Sequence, residues 1–315
     1  MIMTTHPQIE LRNLHRVFDT THAVNDVSFE VHAGEVFGYI GPNGAGKTTS
    51  MRILATLDEP TAGDALVDGF SVVEDPDRVR RRLGFMPDYF GTYHNVNVRE
   101  YLDFFARSYG LVGRERLSAI GEVMEFTQLD ELAEKPITGL SKGMKQRLCL
   151  GRTMIHNPSV LVLDEPAAGL DPRARIELRE MISQLAAAGK AILISSHILT
   201  ELAEMCDRVG IIEQGRLLAV GSVAEISERA QVLSVVHVRV LRDVERLRGW
   251  LATHDEISEL RMADHLAVFN LAGDREREAA LLREIVEAGF AVVEFGVKHK
   301  SLEDVFLHVT EGRVQ

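Results

Sequence analysis

Gly41-Pro42-Asn43-Gly44-Ala45-Gly46-Lys47-Thr48 is the stretch on which the reading of this chain turns. It fits G-x-x-x-x-G-K-[ST]. It lies between a strand pattern at residues 35–40, which follows a turn at Gly34, and a helical pattern that carries Ile53, Leu54 and Leu57 on one side and stops before Pro60. Between a strand and a helix, the glycines let backbone N–H groups converge on phosphate oxygens at the positive end of the helix. Lys47 places a point charge at the β- and γ-phosphates, and Thr48 offers a hydroxyl to Mg2+. The alternative is a flexible glycine turn, and the strand-loop-helix context argues against it.

Upstream, residues 9–14 and 27–31 alternate as strands, with Val27, Phe29 and Val31 on one face. Downstream, Asp68-Gly69 marks a hairpin, and residues 83–86 form a short strand ended by Pro87. The period then becomes helical to about residue 157: Val98, Tyr101, Leu102 and Phe105 fall at i, i+3, i+4 and i+7, with Asn97 as N-cap, Glu100 at N3 and Gly110 as the stop. After this helix-rich insertion, strand and helix alternate. Strand 160–163 leads to helix 172–188, capped by Asp171 and closed by Gly189; strand 191–195, helix 198–205 and strand 209–212 follow. Such alternation predicts a parallel sheet with crossover helices, an α/β fold.

Beyond about Gly221 the pattern resets. Strand 235–241, helix 243–253, strands 257–262 and 266–271, helix 275–288 and strand 290–297 give a βαββαβ order, that of a small α+β ferredoxin-like unit. A last helix is expected over 301–309, with Ser301 as cap and Leu302, Val305, Phe306 and Val309 as its stripe. The expected domains are 1–222, with the insertion at about 89–157, and 223–315.

Lys+Arg 35 against Asp+Glu 47 leaves a net charge of −12, which disfavours a nucleic-acid binder or a protein held on anionic lipid by charge alone. No apolar run approaches the roughly 18 residues of a membrane span, and residues 1–10 lack a secretory signal pattern. Two cysteines, Cys149 and Cys206, fit a reducing cytosolic setting.

Val160-Leu161-Val162-Leu163-Asp164-Glu165 is a buried-strand pattern that ends in two carboxylates. At the C-terminal end of a parallel strand, Asp164 suits a Mg2+ shell and Glu165 suits orienting and deprotonating a water. Acidic residues after strands also serve as helix caps. His197 follows strand 191–195 and can reach a γ-phosphate from the adjacent strand end, or simply close a loop. Leu140-Ser141-Lys142-Gly143-Met144 opens a helix with Ser141 as cap, an anion site of the kind any capped helix offers.

In this order, these segments resemble the nucleotide-binding subunit of an ATP-binding-cassette (ABC) transporter over about residues 8–222. The resemblance rests on Gly41 through Thr49 as Walker A, Leu140-Met144 as the signature, Leu163-Glu165 as Walker B, Gly169-Leu170-Asp171 as the D-loop and His197 as the switch histidine. It implies a P-loop NTPase cassette with a RecA-like core, an antiparallel β subdomain and a helical insertion. It also implies ATP bound by Gly41, Pro42, Asn43, Gly44, Ala45, Gly46, Lys47, Thr48 and Thr49, with Mg2+ as cofactor. The family forms a head-to-tail dimer, in which Ser141 and Gly143 of one copy face the ATP held by the other. An integral membrane permease is then the partner, with the subunit on the cytoplasmic face of the membrane.

Three positions depart from the family pattern. Leu-Ser-Lys-Gly-Met replaces Leu-Ser-Gly-Gly-Gln, and Phe18 stands where an adenine-stacking Tyr is usual, or else belongs to the core. Asp88, after Pro87, holds the Q-loop position, where its carboxylate suits ATP-bound Mg2+ or caps a turn. The C-terminal region, with Ser301-Leu302-Glu303-Asp304-Val305-Phe306, resembles the accessory tail on cassette subunits of polysaccharide, drug or lipid exporters. A soluble cassette ATPase of translation or repair would carry two cassettes, a coiled coil or zinc modules. A metabolic kinase would not need the signature or His197.

Overall fold

The computed structural model describes residues 6–89, 91, 95–198, 202, 204–222, 225–226 and 234–298. The described residues divide into two compact units, the first ending at Ser222 and the second beginning at Glu225.

In the first unit, β1 (Ile9–Phe18) and β2 (Thr21–Val31) form an antiparallel hairpin, followed by β3 (Val36–Ile40) and α1 (Lys47–Leu54). Both hairpin strands run further than the residue alternation predicts. Register shifts between Leu11 and Val17, with Asn13 and Asp26 in the left-handed region, reset the period of two and hide the continuation. Strands β4 (Ala62–Val67) and β5 (Phe70–Ser71) turn at Asp68-Gly69, whose φ values of 49° and 78° fit the expected hairpin. These strands make an antiparallel sheet in the order β2-β1-β4-β5.

The larger sheet has the order β10-β9-β3-β8-β7-β6, built from β3, β6 (Leu83–Met86), β7 (Val160–Leu163), β8 (Ala191–Ser196), β9 (Arg208–Glu213) and β10 (Arg216–Ser222). Its strands are parallel except for β10 against β9. Every residue of β3, β7 and β8 is buried, as expected of strands covered on both faces. A single core joins both sheets to α1: Phe29 stacks on Phe37 with centroids 4.7 Å apart, beside Leu11, Ile53, Val162 and Leu193. Because β3, β7 and β8 are neighbours, their C-terminal ends deliver residues 41, 164 and 197 to one rim.

Helix α2 (Pro76–Arg82), with proline in its first turn, was not anticipated, although that proline is a helix-start signal. The insertion contains α3 (Val98–Ser108), α4 (Gly113–Phe126) and α5 (Lys142–Met154), packed on Val98, Tyr101, Leu102, Ile120, Val123 and Leu148. The capping box read from the sequence is present. Asn97 Oδ1 accepts from the Glu100 N–H at 2.8 Å, and Glu100 Oε2 accepts from the Asn97 N–H at 2.9 Å. Helix α6 (Pro172–Ala187) is capped by Asp171, which accepts from the Ala174 N–H at 3.0 Å. Of the helix expected over 198–205, Leu202 is helical, Ile198 is not, and Glu204 and Met205 form a turn, while 199–201 and 203 lie outside the described residues.

The second unit runs β11 (Ser234–Val240), α7 (Val244–Leu251), β12 (Ile257–Ala263), β13 (Leu266–Leu271), α8 (Arg275–Glu287) and β14 (Val292–Lys298). Its sheet is antiparallel in the order β12-β13-β11-β14, and Val236, Val238, Leu247, Phe269, Leu281 and Ile285 fill its core. The segment 301–309 lies outside the described residues. Among the described residues, no helix is long and apolar enough to cross a membrane.

Candidate functional site

The loop after β3 folds as it does because side chains are excluded from it. A Cβ on Gly41 would stand 2.3 Å from the Ile212 carbonyl oxygen, and one on Gly46 would stand 2.2 Å from that of Ala23. Gly46 also has a φ of 105° and Gly44 a φ of 81°, which glycine adopts without strain. Ala45 is buried and its N–H donates to the Pro42 carbonyl at 3.1 Å, whereas Asn43, Gly44 and Thr48 are exposed and Thr49 is half-buried. Gly46 precedes α1, whose first turn has no side-chain cap.

Lys47 is 5% exposed. Its Nζ donates to the Gly41 carbonyl at 2.6 Å and the Pro42 carbonyl at 3.2 Å, and lies 3.7 Å from Glu165 Oε1. Burial pulls its pKa below the ordinary lysine value, and the charges of Glu165 and Asp164 pull it back up.

Asp164 follows β7 and is fully buried, its N–H donating to the Met86 carbonyl at 2.8 Å. Thr48 Oγ1 donates to its Oδ2 at 2.8 Å and Ser195 Oγ to its Oδ1 at 2.5 Å. Burial raises the Asp164 pKa, the two hydroxyl donors oppose this, and the charges of Asp88 and Glu165 add to the rise. Asp88 is exposed and acts on Asp164 through that charge, making no hydrogen bond or ion pair among the described residues.

Glu165 holds a φ of 49°, uncommon for a residue with a side chain. Its Oε2 meets His197 Nδ1 at 2.8 Å, so the carboxylate sits between this imidazole and Lys47. Residues drawn from positions 47, 48, 164, 165 and 197 thus form one cluster.

Two groups of expected site residues are not hydrogen-bonded or ion-paired to that cluster. Phe18 is 42% exposed at the end of β1, which excludes the core alternative, and the Arg16 guanidinium covers its ring at 4.3 Å. Ser141 caps α5, accepting from the Met144 N–H at 3.3 Å, and Gly143 lies in the first turn. Ser195 was missed by sequence reading. The available signal was a hydroxyl near the end of a wholly buried strand; because Leu163 pairs with Ile194, the next residue on each strand brings Ser195 abreast of Asp164.

The donor set suits Mg2+, since the Thr48 hydroxyl and the Asp164 carboxylate are oxygen ligands already 2.8 Å apart. Among the described residues no group of three or more His, Cys, Asp or Glu could hold a metal.

Comparison with known proteins places the chain in a family. The family model described as ABC transporter matches residues 24–168. The uncharacterised ABC transporter ATP-binding protein YxlF of Bacillus subtilis (strain 168) is 36% identical over 305 residues, covering 96% of this chain and 100% of that protein. Nod factor export ATP-binding protein I of Burkholderia thailandensis is 35% identical over 307 residues, covering 98% of each. A solved ATP-binding subunit of an ABC transporter superposes with a TM-score of 0.65 at 30% identity, over 71% of this chain and 93% of that one. The chain belongs to the ABC transporter family as an ATP-binding subunit and has its P-loop α/β cassette.

Proposed function

We propose that this ATPase drives a separate membrane permease in an exporter, and that the cluster at the ends of β3, β7 and β8 performs the hydrolysis. The observation that carries this reading is the placement of Glu165 between Lys47 and His197, beside the Thr48–Asp164 pair. Loop residues 41–49 cradle the phosphates, Lys47 neutralises the β- and γ-phosphates, and Phe18 stacks on the adenine. Thr48, Asp164 and Asp88 would hold Mg2+, which when bound offsets phosphate charge. Glu165 orients the attacking water and takes its proton as the water oxygen bonds to the γ-phosphorus and ADP leaves through the bridging oxygen. His197 fixes the Glu165 carboxylate through Nδ1 and presents its other ring nitrogen to the γ-phosphate.

Ser141 and Gly143 of a second copy, arranged head to tail, complete each site, so ATP closes the dimer and hydrolysis reopens it. The subunit then works on the cytoplasmic face of the membrane through its permease, with no role for nucleic acid. Export is supported by the relatives named for Nod factor export. Residues 223–315 form an accessory ferredoxin-like domain, supported by the βαββαβ order and the β12-β13-β11-β14 sheet. Asp88 also transmits metal occupancy to the permease-facing insertion, so Asp88→Ala lowers partner-stimulated ATPase more than ATP affinity.

Glu165→Gln tests the central assignment. It should keep ATP binding and lower turnover by about 10^2-fold or more, while Lys47→Ala weakens nucleotide binding itself. Wild-type turnover in Glu165→Gln would remove Glu165 from the role of base.

A further inference from the structure

Ser195 lies at the base of the site with no exposed surface, and both functions of its hydroxyl are committed. The O–H donates to Asp164 Oδ1 at 2.5 Å, and the oxygen accepts from the Glu165 backbone N–H at 2.8 Å. A carboxylate accepts and an amide donates, so the hydroxyl proton has one possible direction. Glu165 is the residue with a φ of 49°, a conformation that persists where the surroundings over-determine it. The hydrogen bond from its N–H to Ser195 is such a constraint.

We infer that Ser195 is a positioning residue that ties the Asp164 carboxylate to the backbone of Glu165, so that metal held by Asp164 also sets the aim of the Glu165 carboxylate. The inference rests on the assignment of Asp164 as a metal ligand and of Glu165 as the base. Chained hydrogen bonds polarise one another, so a change at Asp164 Oδ1 alters how strongly the hydroxyl oxygen holds the Glu165 N–H. Thr48 bonds Oδ2 of the same carboxylate, so the two oxygens of Asp164 are divided between the Walker A helix and β8. Without the hydroxyl, Glu165 loses the partner that holds its left-handed backbone, and the carboxylate is free to leave His197 and Lys47.

Four variants in the full chain, bound to its membrane partner where that is needed for turnover, test this. Ser195→Ala deletes the hydroxyl; Ser195→Thr and Ser195→Val match each other in shape and differ in the hydroxyl; Glu165→Gln serves as reference. Ser195→Ala and Ser195→Val should lower kcat by about tenfold or more while the KM for ATP moves by about threefold or less, and Ser195→Thr should recover most of the loss. A fluorescent ATP analogue, titrated with and without Mg2+, gives the second readout. The gain in affinity that Mg2+ confers should shrink in Ser195→Ala and Ser195→Val and persist in Ser195→Thr, with metal-free affinity unchanged in all three. If Ser195→Ala does not fold, the Thr and Val pair decides the matter. Wild-type kcat in Ser195→Val, or equal losses in Thr and Val, would overturn the inference while leaving the function intact. A wild-type chain that neither binds nor hydrolyses ATP would overturn the function first.

Discussion

His156 stacks on Tyr109 with ring centroids 3.7 Å apart and planes 7° from parallel, and both of its ring nitrogens are buried. Burial depresses its pKa from 6.5 to about 4. The folded protein therefore holds the imidazole neutral where the unfolded chain protonates it. The stability this residue contributes is present above pH 6.5 and is lost as pH falls from 6.5 towards 4. The loss between pH 7 and 5 is at most about 2 kcal/mol, and His156→Phe, which keeps a ring to stack, should flatten that part of the pH profile in urea melts followed by circular dichroism. A variant that loses stability as steeply as the parent would show that other groups set the slope. At this scale, the placement of Lys47 was legible from the strand-loop-helix pattern at 35–54, and that of Asp164 and Glu165 from the end of the apolar strand 160–163. His156 and Ser195 were not, because their roles depend on a stacking partner 47 positions away and on strand register.

Strand β6 packs against α5 through glycine. A Cβ on Gly84 would stand 2.2 Å from the Thr153 carbonyl oxygen and 2.9 Å from Thr153 Cγ2. Gly84→Ala should cost about 1–3 kcal/mol in denaturant midpoint measurements, because backbone on both sides has to move. Gly121, exposed on α4 with open space where a Cβ would point, is the contrast: Gly121→Ala should stabilise by about 0.5–1 kcal/mol. Equal effects at the two glycines would mean that β6 and α5 yield more readily than backbone contact suggests. Elements with uninterrupted periodicity and a cap, such as α3, were legible from sequence. The far halves of β1 and β2 were not, since each bulge moves side chains to the other face and breaks the alternation that sequence reading follows.

The two compact units differ in chemistry. The Lys47, Thr48, Asp164, Glu165 and His197 cluster lies wholly in the first, and the second is a small β-α sandwich with its own apolar core. A chain ending at residue 222 should bind ATP with an affinity within about threefold of the full chain, read by calorimetry, since no ligand of the cluster is removed. Failure to fold, or loss of ATP binding, would show that the larger unit depends on the smaller. The βαββαβ order was legible because each period is regular. The pairing of β11 with β13 and β14, rather than with the next strand in the chain, is the arrangement that this split order implies.

Trp250 is the single tryptophan of the sequence, and it lies in α7 of the smaller unit, with its ring centroid 4.2 Å from that of His254 and 6.0 Å from that of Phe290. Emission excited at the red edge of the indole band is therefore a built-in optical label of that unit alone. A ligand at about 100 times its dissociation constant stabilises the unit that binds it by about 2.7 kcal/mol. Saturating ATP should thus delay the melting seen by circular dichroism while the emission-detected transition stays in place. A shift of both would report energetic linkage between the units with no dye attached.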